Sequence, residues 1–261
     1  MSASLLVRCA VRRDAGRVVR RRVLSALLAP LVACWALPVG TLAAQSAATP
    51  AAKPTVAVLY FTNGAVGAAA EYAPLSKGLA EMLITELAGN PNIRVVERDR
   101  LQALLEEQNL ATANRVEPGT AAKLGKVLGA LHMLMGTFVV DPKGQMRMDV
   151  RAINTETSEL EYATSVTGKA DRMLELLGQL GTKVNTGLKL PAAPATFQPG
   201  QQVGAKGGNQ LKSMMLLSRA LEARDRKDQA QAVALMQQAV DANPDNVRAK
   251  MLLASLERGT P

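Results

Sequence analysis

Histidine, cysteine and aromatic side chains are all scarce in this chain, and each scarcity closes off a class of function. His132 is the single histidine, so the imidazole clusters that hold zinc or drive acid–base catalysis are out of reach. Both cysteines, Cys9 and Cys34, lie near the N-terminus; the body of the chain can therefore form no disulfide and relies on packing. Aromatic residues make up 3% of the chain, too few for the stacking platforms of single-stranded nucleic-acid binders. The net charge of +9 does not reverse that conclusion, because residues 1–43 hold seven arginines against one acidic residue, leaving 24 basic and 21 acidic residues beyond them. A near-neutral body lacks the clustered basic face that nucleic acid requires.

What the N-terminus does contain is an export signal. Arg20, Arg21 and Arg22 lead into an apolar stretch broken by Pro30 and Pro38, and Thr41-Leu42-Ala43 supplies the small residues of a cleavage site. Residues 1–43 are therefore read as a signal peptide, with an uncleaved membrane anchor as the competing reading, since the stretch is marginal in length for a span. Within it Leu31-Val32-Ala33-Cys34 resembles a bacterial lipobox, which would make Cys34 the lipidated residue, and Arg20-Arg21-Arg22-Val23-Leu24 carries a faint twin-arginine pattern. Residues 44–54, rich in Ala, Pro, Ser and Thr, read as a flexible tether.

Order is expected from Thr55. "TVAVLYF" is an unbroken β-branched and aromatic run, the pattern of a central strand buried on both faces. Leu75, Leu79, Met82, Leu83 and Leu87 then recur at helical spacing until Gly89-Asn90-Pro91 stops the helix, and "NIRVVE" is a second strand. In the following helix Asp99 is expected as N-cap with Gln102 completing a capping box, and Leu101, Leu104 and Leu105 form the buried stripe. Glu97 and Arg98 stand at the corner between strand and helix: a solvated ion pair by one reading, a partner-binding pair by the other. A helix after Pro118 carries Leu124, Val127 and Leu128 as its stripe, and "LHMLMGTFVV" reads as another central strand in which Gly136 marks a bulge or a close approach. "QMRMDVRAI" and "ELEYATSVTG" alternate polar with apolar and predict an antiparallel hairpin wet on one face. A helix from about Lys169 to Leu190 closes this part. The fold class is thus α/β, a mixed sheet with helices packed on it over residues 55–190.

Catalytic templates fail when tested one by one. "GTAAKLGKV" looks like a phosphate loop, but Val127 stands where Ser or Thr must hold magnesium; Gly125 and Gly129 read instead as close-packing or helix-end glycines. Glu106 and Glu107 are adjacent on a helix and point about 100° apart, so they do not share a substrate. A hydrolase with an unfamiliar site around Glu97 or Glu107 is the weakest reading. No catalytic residue, cofactor or metal ligand is assigned.

Residues 191–209 form a Pro- and Gly-rich linker, and residues 210–261 a small all-α tail. In that tail Ala220, Ala232, Met236, Ala239 and Pro244 fall at the spacings of a tetratricopeptide repeat, and Leu253-Ala254 restarts the pattern. One and a half repeats is fewer than the three or so such units need for stability. The tail is therefore expected to pack on the α/β domain, on another copy or on a partner. Arg219, Arg226, Arg248 and Lys250 are its candidate contacts for an acidic partner, against the plainer reading of solvated helix charges.

The order of motifs, "VAVLYFTNG", "VVERDRLQALLEEQNL", "GTAAKLGKVLGALHMLMGTFV" and "VRAINTETSELEYATSVTG", resembles the curli production assembly/transport (CsgG) family and its relatives with a TolB-N-terminal-like domain. Its most specific part is Glu97-Arg98 after a strand, then Leu101, Leu104, Leu105 and Glu107-Gln108. The resemblance implies a non-enzymatic bacterial envelope protein, periplasmic and outer-membrane-attached where lipidated, whose partners are other envelope assembly or secretion proteins or further copies of itself, with no nucleic acid and no cofactor. The alternative it implies is an oligomeric outer-membrane secretion channel subunit for curli-like fibres. Long amphipathic hairpins with aromatic girdles are what such a barrel needs; only one candidate hairpin is present, and it exposes Arg147, Asp149, Arg151, Glu159 and Glu161. Leu131-His132 stands where relatives more often have Asp-Tyr.

Overall fold

The structure is a computed structural model that describes residues 52–64, 69–110, 116–198, 200 and 209–259. The signal peptide, Cys34 and most of the tether lie outside the described residues.

In chain order the elements are β1 (Thr55–Val58), β2 (Thr62–Asn63), α1 (Ala69–Tyr72), α2 (Leu75–Ala88), β3 (Arg94–Val95), α3 (Arg98–Glu107), α4 (Pro118–Leu128), β4 (His132–Val140), β5 (Gln145–Asn154), β6 (Leu160–Lys169), α5 (Met173–Gly187), α6 (Gln210–Asp225), α7 (Gln229–Ala242) and α8 (Val247–Glu257). The sheet runs β3-β1-β4-β5-β6, with β2 also paired to β4. β3, β1 and β4 are parallel, whereas β4–β5 and β5–β6 are antiparallel. The expected mixed sheet, hairpin and helical tail are all present.

Two apolar clusters sandwich this sheet. On one face Val56 and Val58 of β1, Leu134 and Phe138 of β4, and Met146, Met148 and Val150 of β5 meet α2 and α5, and the same cluster continues into Met214, Leu217, Ala220 and Leu221 of α6. On the other face Ala57, Leu59 and Met133 meet Leu101, Leu104 and Leu105 of α3 and Ala121, Leu124 and Leu128 of α4. That second cluster reaches β5 only at Ile153 and does not extend to β6. Beyond it Arg147, Asp149 and Arg151 lie on a face of β5 that none of the described helices covers, and Arg147 pairs with Asp149 at 2.7 Å.

Local details separate expectation from outcome. The N-cap of α3 is Glu97, in extended conformation and without a side-chain cap bond, so the capping box on Asp99 and Gln102 does not form. Both side chains are engaged elsewhere: Asp99 with arginines, Gln102 with Tyr60 and Glu106. Val127 is 69% exposed and does not belong to the stripe of α4, which is completed by Ala121 instead. Gly129 ends α4 in the left-handed region at φ 67°, and a methyl group at Gly125 would lie 2.3 Å from Thr155 Cγ2, as a helix end and a close packing require. At Gly136 the close neighbour is the Phe61 ring, 2.6 Å from where a Cβ would stand. His132 is buried and pairs with Glu161 across the sheet.

The tail docks on the α/β part. Ala220, Ala232, Met236 and Ala239 are fully buried, as the repeat pattern requires of closely paired helices. Gly78 on α2 lets α6 approach so near that an added methyl would lie 2.0 Å from Ser218 Oγ. The linker is pinned where the Gly200 N–H donates to Glu86 Oε1 at 2.8 Å, and burial holds that carboxyl above its ordinary range.

Candidate functional site

The β3–α3 corner places four charged residues in succession, and the geometry of one helical turn divides them. Arg98 heads the same face as Leu101, Gln102 and Leu105, three, four and seven residues on, so it is drawn inward with them. Its side chain is 2% exposed. Glu97, Asp99 and Arg100 stay at the surface.

Arg98 is the centre of a buried polar seam between the α/β part and the tail. Its two terminal nitrogens grip the carboxylate of Asp225 at the end of α6, at 3.0 and 2.9 Å, and one of them also reaches Asp99 at 2.8 Å. The Tyr60 hydroxyl lies 3.3 Å away. Nε faces Glu81 of α2 at 3.6 Å, beyond hydrogen-bond reach. Lys77 donates to the second Asp225 oxygen at 2.6 Å, Arg224 pairs with Asp99, and Arg248 of α8 donates to Glu81 at 2.7 Å. Planar bidentate pairing of this kind is what offsets the cost of taking a guanidinium out of water.

The ionisation of the seam follows from that geometry. Burial pulls the Arg98 guanidinium down, but its hydrogen bonds to Asp225 and the charges around it outweigh burial and hold it above the ordinary arginine range. Burial likewise raises Asp225, and the bonds and charges of Arg98 and Lys77 overcome it, leaving the carboxyl below the usual range. Tyr60 is pushed up, chiefly by burial. Arg224 is lowered by burial and by the neighbouring Arg98 charge. The seam holds two parts of the chain together.

The candidate contacts read from sequence therefore fall into two groups. Arg98 and Arg248 are spent on contacts within the chain, and Arg98 is not at the solvated corner expected of it. Glu97, Arg219 and Lys250 are exposed, and Arg226, also exposed, donates to Gln231 at 3.1 Å. Asp225, Lys77, Glu81 and Tyr60 were not signalled as site residues by any motif. The hint that could have found Asp225 is its spacing, four and eight residues after the buried Leu221 and Leu217.

Two hollows open on the surface, the larger of them beside the seam. The larger, about 1490 Å³, lies over the bare face of β4–β6 and is lined by Tyr60, Gln102, Met135, Arg151 and Asp225 among others. The smaller, about 520 Å³, lies at the β3 edge between the start of α3 and the end of α4. Among the described residues no group of three His, Cys, Asp or Glu could hold a metal ion, and no helix is long and apolar enough to cross a membrane.

Comparison with known proteins agrees with the corner motif. Residues 40–141 match the family model of the curli production assembly/transport component CsgG. Among curated proteins no relative matches this chain. Of solved structures, the chain is similar to lipoprotein GNA1162 from Neisseria meningitidis, at 14% identity over 52% of this chain and 98% of that one, with a TM-score of 0.36. It is similar to the LpoB C-terminal domain from Escherichia coli at 14% identity over 44% of this chain and 82% of that one, TM-score 0.34. A third likeness is to the PelC dodecamer from Paraburkholderia phytofirmans, at 14% identity over 54% of this chain and 90% of that one, TM-score 0.30. All three likenesses are thin. The family match spans β1 to β4 and contains Glu97-Arg98; over residues 40–141 this chain is CsgG-like.

Proposed function

We propose that this protein is a non-enzymatic component of bacterial envelope assembly or secretion, exported to the periplasm and acting by binding other proteins. The observation that carries this reading is the CsgG family match over residues 40–141. Two features of the fold support it. The water-facing side of the β5–β6 hairpin carries Arg147, Asp149 and Arg151, which suits an aqueous protein surface better than a lipid-facing barrel wall. The sole histidine is buried against Glu161, and Arg98, the most deeply buried arginine among the described residues, is consumed by an internal ion pair, so both serve the fold.

The test is the mass and composition of the complex that a tagged full-length chain forms in its native envelope, extracted with mild detergent. Co-purification of a small, reproducible set of envelope proteins with a monomer or small oligomer of this chain is the expected outcome. A large membrane-bound ring of this chain alone would overturn the binding reading and restore the channel; turnover of an envelope substrate abolished by Glu97→Gln or Glu107→Gln would make it an enzyme.

A further inference from the structure

The hollow at the β3 edge is built differently from the seam around Arg98. Arg94 of β3, Arg100 of α3 and Lys126 of α4 line it against a single carboxylate, Glu97. Arg94, Arg100 and Glu97 make no side-chain hydrogen bond or ion pair in the described structure, and Lys126 has only a long contact, 3.5 Å, to the Glu156 carbonyl. By contrast, the seam around Arg98 sets Lys77, Arg98, Arg224 and Arg248 against Glu81, Asp99 and Asp225. Three cations converging on one concavity repel one another, an arrangement that becomes favourable when an anion enters.

Two further observations shape the anion. β3 is the outer strand of the sheet on this side. Its neighbours in the chain use their backbone inward, Arg94 N–H to Pro54 and Val96 N–H to Val56, both at 2.9 Å, so the intervening Val95 turns its own N–H and carbonyl away from β1. Val127, 69% exposed, stands on the opposite wall and offers an apolar contact. An unpaired strand edge beside clustered cations and one apolar side chain suits an extended peptide with carboxylates at alternate positions and aliphatic residues between them.

We infer that this hollow is a docking site for an acidic, extended segment of a protein partner, with Arg94, Arg100 and Lys126 as the contacts for its carboxylates. The inference rests on the protein-binding function proposed above and names the chemistry of one partner surface. Glu97 then acts against the ligand, limiting affinity and selecting against peptides that lack sufficient negative charge.

The probe is a fluorescein-labelled eight-residue peptide of alternating glutamate and valine, titrated by fluorescence anisotropy against the full-length protein in mild detergent. Binding that weakens as salt rises is expected, with affinity falling about tenfold in an Arg94→Glu/Arg100→Glu variant, since two reversed exposed contacts together amount to about one tenfold step. Glu97→Gln is expected to strengthen binding about twofold, a gain that a merely structural role for the corner would not produce. Lys143→Glu, in the exposed turn between β4 and β5, serves as the control and leaves affinity unchanged. No binding by the unaltered protein, or equal binding by the charge-reversed variant with an unchanged melting temperature, overturns the inference. Capture of phosphatidylglycerol vesicles in place of the peptide, lost in the same variant, overturns it in favour of a lipid surface. If the charge-reversed chain still retrieves its envelope proteins, only this docking site fails; if the unaltered chain retrieves none, the binding function itself fails.

Discussion

Arg98 and Arg100 stand two residues apart on one helical turn, yet they live in opposite electrostatic worlds. Arg98 is buried and held at both ends of its guanidinium by Asp225; Arg100 lines an open hollow with no carboxylate of its own. The first was placed by the apolar residues that share its face, and its charge had to be answered inside the molecule. The second was placed by the same helix on the far side and left for something outside to answer. Charge alone does not distinguish a structural residue from a recognition residue; the periodicity of its neighbours does.

Removing the answer on the buried side is expected to have the largest effect. Asp225→Ala leaves Arg98 charged in a dry seam and should cost about 3–5 kcal/mol in chemical denaturation, while Arg98→Met with Asp225→Leu in one chain should recover most of the loss. The Asp225 carboxyl lies below its ordinary range in the folded protein, so its contribution is fully present above the unfolded value of about pH 4 and is lost as pH falls through the lower folded value; the acid limb of the melting curve should flatten in the double variant. A smaller effect is expected at the apolar part of the same docking surface. Gly78→Ala drives a methyl into Ser218 Oγ, 2.0 Å away, and should cost about 1–3 kcal/mol; adding Ser218→Ala removes the offending oxygen and should restore much of the thermal stability. On the open side, Arg100→Ala should move stability by no more than about 0.5 kcal/mol, and a larger drop would break the contrast between the two arginines.

Most of the architecture was legible because periodicity carried it. The Leu75 to Leu87 stripe, the alternation of the β5–β6 strands and the repeat spacings of the tail all produced the elements they predict, since each depends on neighbours close in sequence. What was not legible depended on distant ones. Asp99 has the right chemistry for an N-cap and the right spacing to Gln102, but arginines at 98 and 224 and the Tyr60 hydroxyl compete for the two side chains and win. Val127 fits an apolar stripe by type but falls on the open wall of the β3-edge hollow. The partner of Arg98 is 127 positions further along the chain, and no local pattern reports a pairing of that span. The basic hollow escaped notice for the same reason: residues 94, 100 and 126 belong to three elements that only the fold brings together.

That separation between Arg98 and Asp225 has a consequence for how the molecule is made. A chain that emerges N-terminus first completes every strand and α5 before α6 appears, and α6 must then cover apolar surface of α2 while Asp225 arrives at Arg98. For that interval Arg98 has only Asp99 and Glu81 beside it, and an apolar face of α2 is open to water. The seam is therefore completed only by the last fifth of the chain, and until α6 arrives the α/β part keeps the exposed apolar surface that makes partly folded domains prone to aggregate.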